Sequence, residues 1–228
     1  MRGFEQLRAK DISDDYIEWL GYANVGMLMP GNLYSFDLAV QNLPTQDPIL
    51  EIGAFSGLST NAIAYYLRKH GKTNLFFNCD KWQFADWVAD EQICDRPIAE
   101  YENFIRDNYR RCLEMFSRDN LPHTIELYSD ELFALWAEQA SYQDLFGRDV
   151  QLGGPISFAY IDGNHAYDYA WRDFENCDRY LVPGGYILFD DSSDHSPHES
   201  RKAAQQAARR TNYEVVIKNP NYLLRKRA

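Results

Sequence analysis

The stretch 49-ILEIGAFSGLSTNAIAYYLRKHG-71 decides the fold. Its first seven residues, 49-ILEIGAF-55, read as a buried strand. The following 60-TNAIAYYLRKHG-71 carries a helical pattern with a basic last turn that Gly71 terminates. Between the two, Gly53 and Gly57 permit tight turning and close backbone approach, just ahead of the unpaired N–H groups that open a helix. A strand, a glycine turn and a helix begin a β–α–β unit, and the rest of the chain continues it.

Working outward, 73-TNLFFNCD-80 is a second strand. The third is 123-HTIELYSD-130, where Ile125 and Leu127 alternate with polar neighbours, and the fourth is 156-ISFAYID-162. The helix after the fourth strand places Tyr167, Ala170, Phe174, Cys177 and Leu181 on one face. Pro183-Gly184-Gly185 is expected to stop that helix and turn the chain into 186-YILFDD-191. The tail, 213-YEVVIKNPNYLLRK-226, reads as two strands joined at Asn219-Pro220-Asn221. Such alternation predicts an open α/β sheet of mostly parallel strands with right-handed crossovers, and the terminal hairpin brings an antiparallel strand to one edge.

Two regions exceed that minimal unit. Residues 1–48 form a mostly helical lead-in containing Met27-Leu28-Met29-Pro30-Gly31, ahead of a main domain spanning 49–228. Within that domain, 82–120 is an expected helical insertion rich in Trp82, Phe84, Trp87, Tyr101, Phe104 and Tyr109. Both regions are expected to cap the ends of the sheet. The aromatics read either as the core of an extra helix or as the wall of a substrate pocket.

Composition narrows the function class. The net charge of −11 argues against a nucleic-acid or anionic-membrane binder, whose affinity rests on Lys and Arg facing phosphates. No apolar run reaches the roughly 18 residues that span a bilayer, and Met1-Arg2-Gly3-Phe4-Glu5 does not resemble a signal peptide. Cys79, Cys94, Cys112 and Cys177 form no CxxC pair, as expected of reduced thiols in a cytoplasmic protein.

In an open α/β sheet, ligands bind beyond the carboxyl ends of the strands. A dinucleotide wants GxGxxG there, whereas this loop is GxxxG, with Phe55 at the middle position and Glu51 just before. A negative charge at that point is unwelcome to a diphosphate and suits a ligand with an ammonium and a sulfonium. The same departure disfavours a nicotinamide-dependent oxidoreductase. Asp80 ends the second strand, where a carboxylate binds ribose hydroxyls. Ser129 and Asp130 end the third, where adenine would lie. Each of these could be a helix cap or turn residue, but the four strand ends together, Glu/Gly, Asp, Ser-Asp and Asp, are hard to ascribe to capping alone.

With Asp80, 51-EIGAFSGLS-59 resembles the cofactor site of class I S-adenosylmethionine-dependent methyltransferases. The variant ExGxxxGxS is similar to the metal-dependent O-methyltransferases, and the resemblance covers residues 49–191 in order. It implies a Rossmann-like seven-stranded sheet and S-adenosylmethionine as cofactor. It also implies Glu51, Gly53, Gly57, Ser59, Asp80, Ser129 and Asp130 as the cofactor-binding residues.

Asp162 ends the fourth strand, and Asp190-Asp191 end the fifth, 28 and 29 positions later. Three clustered carboxylates repel one another unless a cation sits among them, and hard oxygen ligands suit Mg²⁺ or a similar divalent ion. In the catechol and macrocin- or mycinamicin-type O-methyltransferases that the chain resembles, these positions hold the metal ligands, which map onto Asp162, Asp190 and Asp191. Where the catechol type has a lysine this chain has His165, as in the macrolide-sugar type, whose histidine is the proposed base. His165 and Asp162 are therefore the expected catalytic residues.

His195 and His198, in 194-DHSPH-198, could serve as further metal ligands but read better as part of a loop over the site, and His70 and His123 read as surface positions. The expected function is O-methylation of a small hydroxylated molecule, a natural-product sugar before a catechol or other phenol. A protein of this fold that binds the cofactor without catalysis is the alternative from another class. Association into a homo-oligomer through the lead-in is left open.

Overall fold

The computed structural model describes residues 14–84, 92–93 and 95–227. Residues 1–13 of the lead-in, Trp87 and Cys94 lie outside the described residues. The lead-in contributes helices α1 (Asp15–Ala23) and α2 (Pro30–Gln41). Strand β1 (Ile49–Ile52), helix α3 (Leu58–Lys69) and strand β2 (Phe76–Cys79) follow. The stretch after β2 holds a two-residue hairpin, β3 (Gln92–Ile93) with β4 (Arg96–Pro97), and the long helix α4 (Ile98–Phe116). Next come β5 (His123–Ile125), α5 (Ser129–Ala137) and a second small hairpin, β6 (Ser141–Gln143) with β7 (Asp149–Gln151). The chain ends with β8 (Ile156–Ile161), α6 (Tyr167–Tyr180), β9 (Leu181–Phe189), α7 (Ser200–Ala208), β10 (Tyr213–Lys218) and β11 (Tyr222–Lys226).

Seven strands form one sheet in the order β10-β11-β9-β8-β1-β2-β5. The pairs β1/β2, β1/β8, β2/β5 and β8/β9 are parallel, and β11 runs antiparallel to both β9 and β10. This is the predicted Rossmann-like, mostly parallel sheet, and the terminal hairpin supplies the reversed strand at that edge. Beside β1 the strand order changes direction: β2 and β5 lie on one side, β8 and β9 on the other. At such a switch point the flanking crossovers leave by opposite faces, which opens a crevice beyond the strand ends.

The strands are buried on both faces, so β1 and β8 read as continuous runs. Leu50 and Ile52 face one layer, with Phe77, Ile125, Ala159, Ile161, Phe174 and Phe189. Ile49 faces the other, with Phe36, Ala62, Ile63, Tyr66 and Phe158. A third cluster (Ala54, Trp82, Phe84, Ile105, Tyr109 and Leu113) packs α4 onto the glycine loop.

The structure corrects three sequence readings. The third strand ends at Ile125, not at residue 130; Leu127 N–H bonds back to the Ile125 carbonyl, and Ser129-Asp130-Glu131 opens α5. Glu131 accepts the Tyr128 N–H at 3.0 Å, the carboxylate reach that starts helices. Pro183-Gly184-Gly185 does not precede the fifth strand but lies within β9, in the span where the β8/β9 register shifts. Gly184, at φ +82, absorbs that irregularity. Leu181, expected on the helix face, is the first residue of β9 and is still buried.

Candidate functional site

The glycine loop is shaped by what crosses it. Gly53 has φ +83, and a Cβ there would collide with the Asp162 carbonyl oxygen. Gly57 caps α3 at φ +86, and a Cβ would meet Leu113 and Tyr109 of α4. Phe55, between them, adopts φ +43 without being glycine, and its backbone is held from both sides. Asp80 Oδ2 accepts the Ala54 and Phe55 N–H groups, each at 2.8 Å, while Trp82 Nε1 donates to the Phe55 carbonyl at 2.8 Å. Asp80 Oδ1 also accepts the Trp82 N–H at 2.6 Å. Burial lifts the Asp80 carboxyl above its ordinary range, against the opposing pull of those three N–H groups.

Glu51 lies beneath the loop, fully buried, on the α3 side of β1. It accepts the Ser59 and Thr60 hydroxyls at 2.5 and 2.6 Å, so it grips the first turn of α3. Burial pushes its carboxyl up to about 7, with the hydroxyls opposing. From the lead-in, Asn24 Nδ2 donates to the Ser56 carbonyl at 2.8 Å, tying that region to the same loop.

Ser129 and Asp130 sit in the first turn of α5. Asp130 Oδ2 is 3.0 Å from Arg172 Nε on α6, a half-exposed ion pair on the crevice rim. Beside them the sequence reading missed Asp173, buried on α6 and facing the crevice. Burial raises its carboxyl to about 7, with the Ser129 hydroxyl pulling the other way. A charged residue on the buried face of an amphipathic helix was the available signal.

On the other side of the switch point, Asp162, Asp190 and Asp191 follow β8 and β9 directly, as predicted. Asp162 accepts the Tyr160 hydroxyl at 3.1 Å. Asp190 Oδ1 accepts from Asn221 Nδ2 at 2.9 Å and from Asn32 Nδ2. Burial, then the facing Asp190, pushes the Asp162 carboxyl well above the usual range; burial, then Asp191, raises Asp190. His165 bridges the group, with Nδ1 2.9 Å from Asp191 Oδ2 and Nε2 3.6 Å from Asp162 Oδ1. His165 holds the Asp191 carboxyl below the usual range.

Asn32 and Asn221, which the sequence reading placed only in the lead-in and in a turn, are thus support groups of this cluster. His198, read there as a loop residue, also reaches it, with Nε2 3.3 Å from Asp191 Oδ2. Among the described residues, no Lys or Arg forms an ion pair with Asp162, Asp190 or Asp191. His165 Nδ1 is a buried nitrogen close to Asp191 but not aligned to donate to it. Carboxylates turned toward one another, without a lysine or arginine paired to them among the described residues, fit a hard divalent ion.

Both halves open into one crevice of about 1190 Å³, lined by Gly53–Ser56, Asp80, Ser129, Asp162, His165, Asp190 and Asp191 among others. That exceeds the roughly 300–1,000 Å³ of a single small-molecule pocket and leaves room for a cofactor and an acceptor together. Of the insertion aromatics, Trp82 and Tyr109 are core, Phe84 also lines the crevice and Phe104 is exposed. Tyr65 and Lys69 have the Tyr-x-x-x-Lys spacing an oxidoreductase would use, but both bind Asp14, at 2.6 and 3.0 Å, outside the crevice.

A family model described as a methyltransferase domain matches residues 50–192. No curated protein matches the chain at a significant level. Among solved structures, the chain is similar to an O-methyltransferase from Bacillus cereus in complex with SAH, at 16% identity and TM-score 0.57 over 95% of this chain and 92% of that one. It is also similar to the O-methyltransferase TomG of Streptomyces achromogenes, involved in tomaymycin synthesis and solved with SAM, at 14% identity and TM-score 0.57 over 96% and 92%. A third likeness is to CalS11, a calicheamicin methyltransferase, at 16% identity and TM-score 0.55 over 99% and 98%. At these identities the likeness is one of fold.

Proposed function

Since the chain belongs to the methyltransferase-domain family, we propose that it is a divalent-metal-dependent O-methyltransferase that uses S-adenosylmethionine and acts on a hydroxyl of a small molecule. The observation that carries this reading is the group of Asp162, Asp190 and Asp191 with His165, facing the glycine loop across one crevice and lacking a Lys or Arg ion pair among the described residues. In this reading the loop from Gly53 to Gly57 receives the amino-acid end of the cofactor. Asp80 has about one of its four acceptor positions left for a ribose hydroxyl. Ser129 and Asp130 border the adenine, and Glu51 and Ser59 act from below by fixing the loop. Residues 1–48 and 82–120 serve as covers to a cofactor domain spanning 49–228.

Asp162, Asp190 and Asp191 would hold the divalent cation, Mg²⁺ or a similar ion. When bound, S-adenosylmethionine supplies an electrophilic methyl group and the cation supplies Lewis-acid stabilisation of the ionised hydroxyl. His165 moves the proton. In the neutral tautomer protonated on Nδ1, the lone pair on Nε2, on the Asp162 side, accepts the hydroxyl proton as attack begins. Histidine at this position, and the natural-product enzymes among the similar folds, support a natural-product sugar as acceptor. No helix among the described residues is long and apolar enough to cross a membrane. The free, buried thiols of Cys79, Cys112 and Cys177 support a reducing, cytoplasmic setting.

The direct test is calorimetric titration of S-adenosylhomocysteine into the protein with Mg²⁺ present. A one-site isotherm is expected, and no binding by calorimetry and by a second method overturns the assignment. Once an acceptor is found, His165→Ala should lower turnover about 100-fold or more with little change in cofactor affinity. Normal turnover would return the histidine to a structural role.

A further inference from the structure

Two imidazoles converge on one carboxylate oxygen at the edge of this site. His165 Nδ1 and His198 Nε2 stand 2.9 and 3.3 Å from Asp191 Oδ2. One ligand atom from each of the three residues lies within 4.8 Å of the others. Two bonds of about 2.1 Å to a shared ion, opened by roughly 90–110°, set their ligand atoms about 3.0–3.4 Å apart. The two separations from Asp191 Oδ2, 2.9 and 3.3 Å, are close to that size.

Hydrogen bonding explains the geometry less well. His165 Nδ1 is buried and close to the carboxylate, yet its direction does not make it a donor to it. A nitrogen this close to a carboxylate without an aligned N–H is free to offer its lone pair to an ion. The backbone also fixes the third group in place: Ser200 N–H donates to the His165 carbonyl at 2.9 Å, and Ser200 Oγ donates to the Asp191 carbonyl at 3.0 Å. The segment carrying His198 is thereby tied to both other members.

We propose that His165, Asp191 and His198 form a second cation site, selective for a borderline ion such as Zn²⁺ or Co²⁺ over Mg²⁺. Imidazole nitrogens favour such ions, whereas Mg²⁺ prefers carboxylate, carbonyl and water oxygens. Asp162, Asp190 and the other carboxylate oxygen of Asp191 remain for the hard cation, since both imidazoles approach Asp191 through Oδ2.

The consequence for catalysis rests on the proposed role of His165 as base. A neutral imidazole carries one proton. When the Nδ1 lone pair is donated to an ion, that proton resides on Nε2, and Nε2 can no longer accept one from the hydroxyl. Filling the second site therefore inhibits methyl transfer that Mg²⁺ supports.

The test uses the full chain, freed of metal by a chelator and titrated with Co²⁺ alone while its visible ligand-field absorption is followed. Wild type should bind with an imidazole-ligated spectrum. His198→Ala should weaken Co²⁺ binding about 10–100-fold, and Asp162→Asn should retain it. Co²⁺ binding unchanged by His198→Ala overturns the site. Loss of the spectrum in Asp162→Asn also overturns it, because it means one shared site. As a measurement independent of any variant, Zn²⁺ should shift the imidazole resonances of His165 and His198 together in the wild-type protein, and a shift of neither refutes the proposal.

Zn²⁺ that fills the site without lowering turnover refutes the inhibitory consequence. A parallel titration with S-adenosylhomocysteine separates the two readings: failure there removes the methyltransferase assignment and leaves the Co²⁺ result standing.

Discussion

The two halves of the crevice both present buried carboxylates, but the chain uses them differently. At the β1–β2 end, Glu51 and Asp80 are engaged by the protein itself, through two hydroxyls and three backbone N–H groups at 2.8 Å or less. At the β8–β9 end, Asp162 and Asp190 face each other, Asp191 faces two histidines, and their protein partners are a phenol and two amides. The first pair shapes a loop, and the second group awaits positive charge. Burial of a carboxylate is therefore a poor sign of a ligand site; the discriminating question is whether the chain's own donors already satisfy it.

The largest effect is expected where the two halves touch. Gly53→Ala places a methyl group against the Asp162 carbonyl at a backbone angle disfavoured for alanine. Since backbone meets backbone, neither side yields cheaply, and a loss of about 4 kcal/mol or more is expected. Gly147, at φ +75 with open space around it, is the control; Gly147→Ala should cost only about 1–2 kcal/mol. Equal midpoints of urea denaturation for the two variants would mean that the halves are not in rigid contact.

The comparison sharpens when a carboxylate is altered in each half. Asp80→Ala strips acceptors from Ala54, Phe55 and Trp82, so the metal-free protein should lose roughly 2–4 kcal/mol. Affinity for S-adenosylhomocysteine should fall with it. Asp162→Asn removes one of two facing acids, so metal-free stability should stay within about 1 kcal/mol of wild type or rise. Divalent-ion affinity should drop about 100-fold, read by calorimetry with Mg²⁺. Similar destabilisation of the metal-free protein by both variants would erase the distinction between loop-holding and ligand-holding acids.

Much of this division was legible in the sequence because parallel strands buried on both faces advertise themselves, and because their last residues mark the crevice. The first strand was read three residues too long and ends at Ile52, but the glycines at 53 and 57 lie in the turn that follows it, and the acids at 80, 162, 190 and 191 follow their strands as read. What escaped was decided by competing local chemistry or by distance. Ser129-Asp130 looked like a strand end because Ile125 and Leu127 alternate, but Ser-Asp-Glu ahead of an apolar stretch is also a helix start, and a three-residue strand is too short to outweigh it.

Distance hid the rest. Asn32 lies 158 residues from Asp190 and Asn221 lies 31 from it, and neither spacing belongs to any local period. His198 was visible as a residue type, but its contact with Asp191 depends on a turn and on the Ser200 bonds, which no periodicity encodes.

The smallest predicted effect concerns Glu51 and separates its two readings, cofactor ligand and loop support. Its folded carboxyl lies near 7 against an ordinary value of 4.5, because burial disfavours the charge. Between those values the folded protein holds a proton that the unfolded chain has released. The contribution of Glu51 to stability is thus greatest below pH 4.5, declines as pH rises toward 7 and is level above it. Glu51→Gln keeps the shape and removes the titration, at the cost of turning one hydroxyl of Ser59 or Thr60 to accept from the amide. The stability difference between wild type and this variant should therefore move against wild type by about 1 kcal/mol per pH unit within that window. Asp173, also near 7, tilts both curves and cancels in the difference. Urea midpoints at several pH values measure the slope. A flat difference would mean that Glu51 is solvated and charged, as a cofactor-facing residue would be, and would move it from the loop's support to its binding surface.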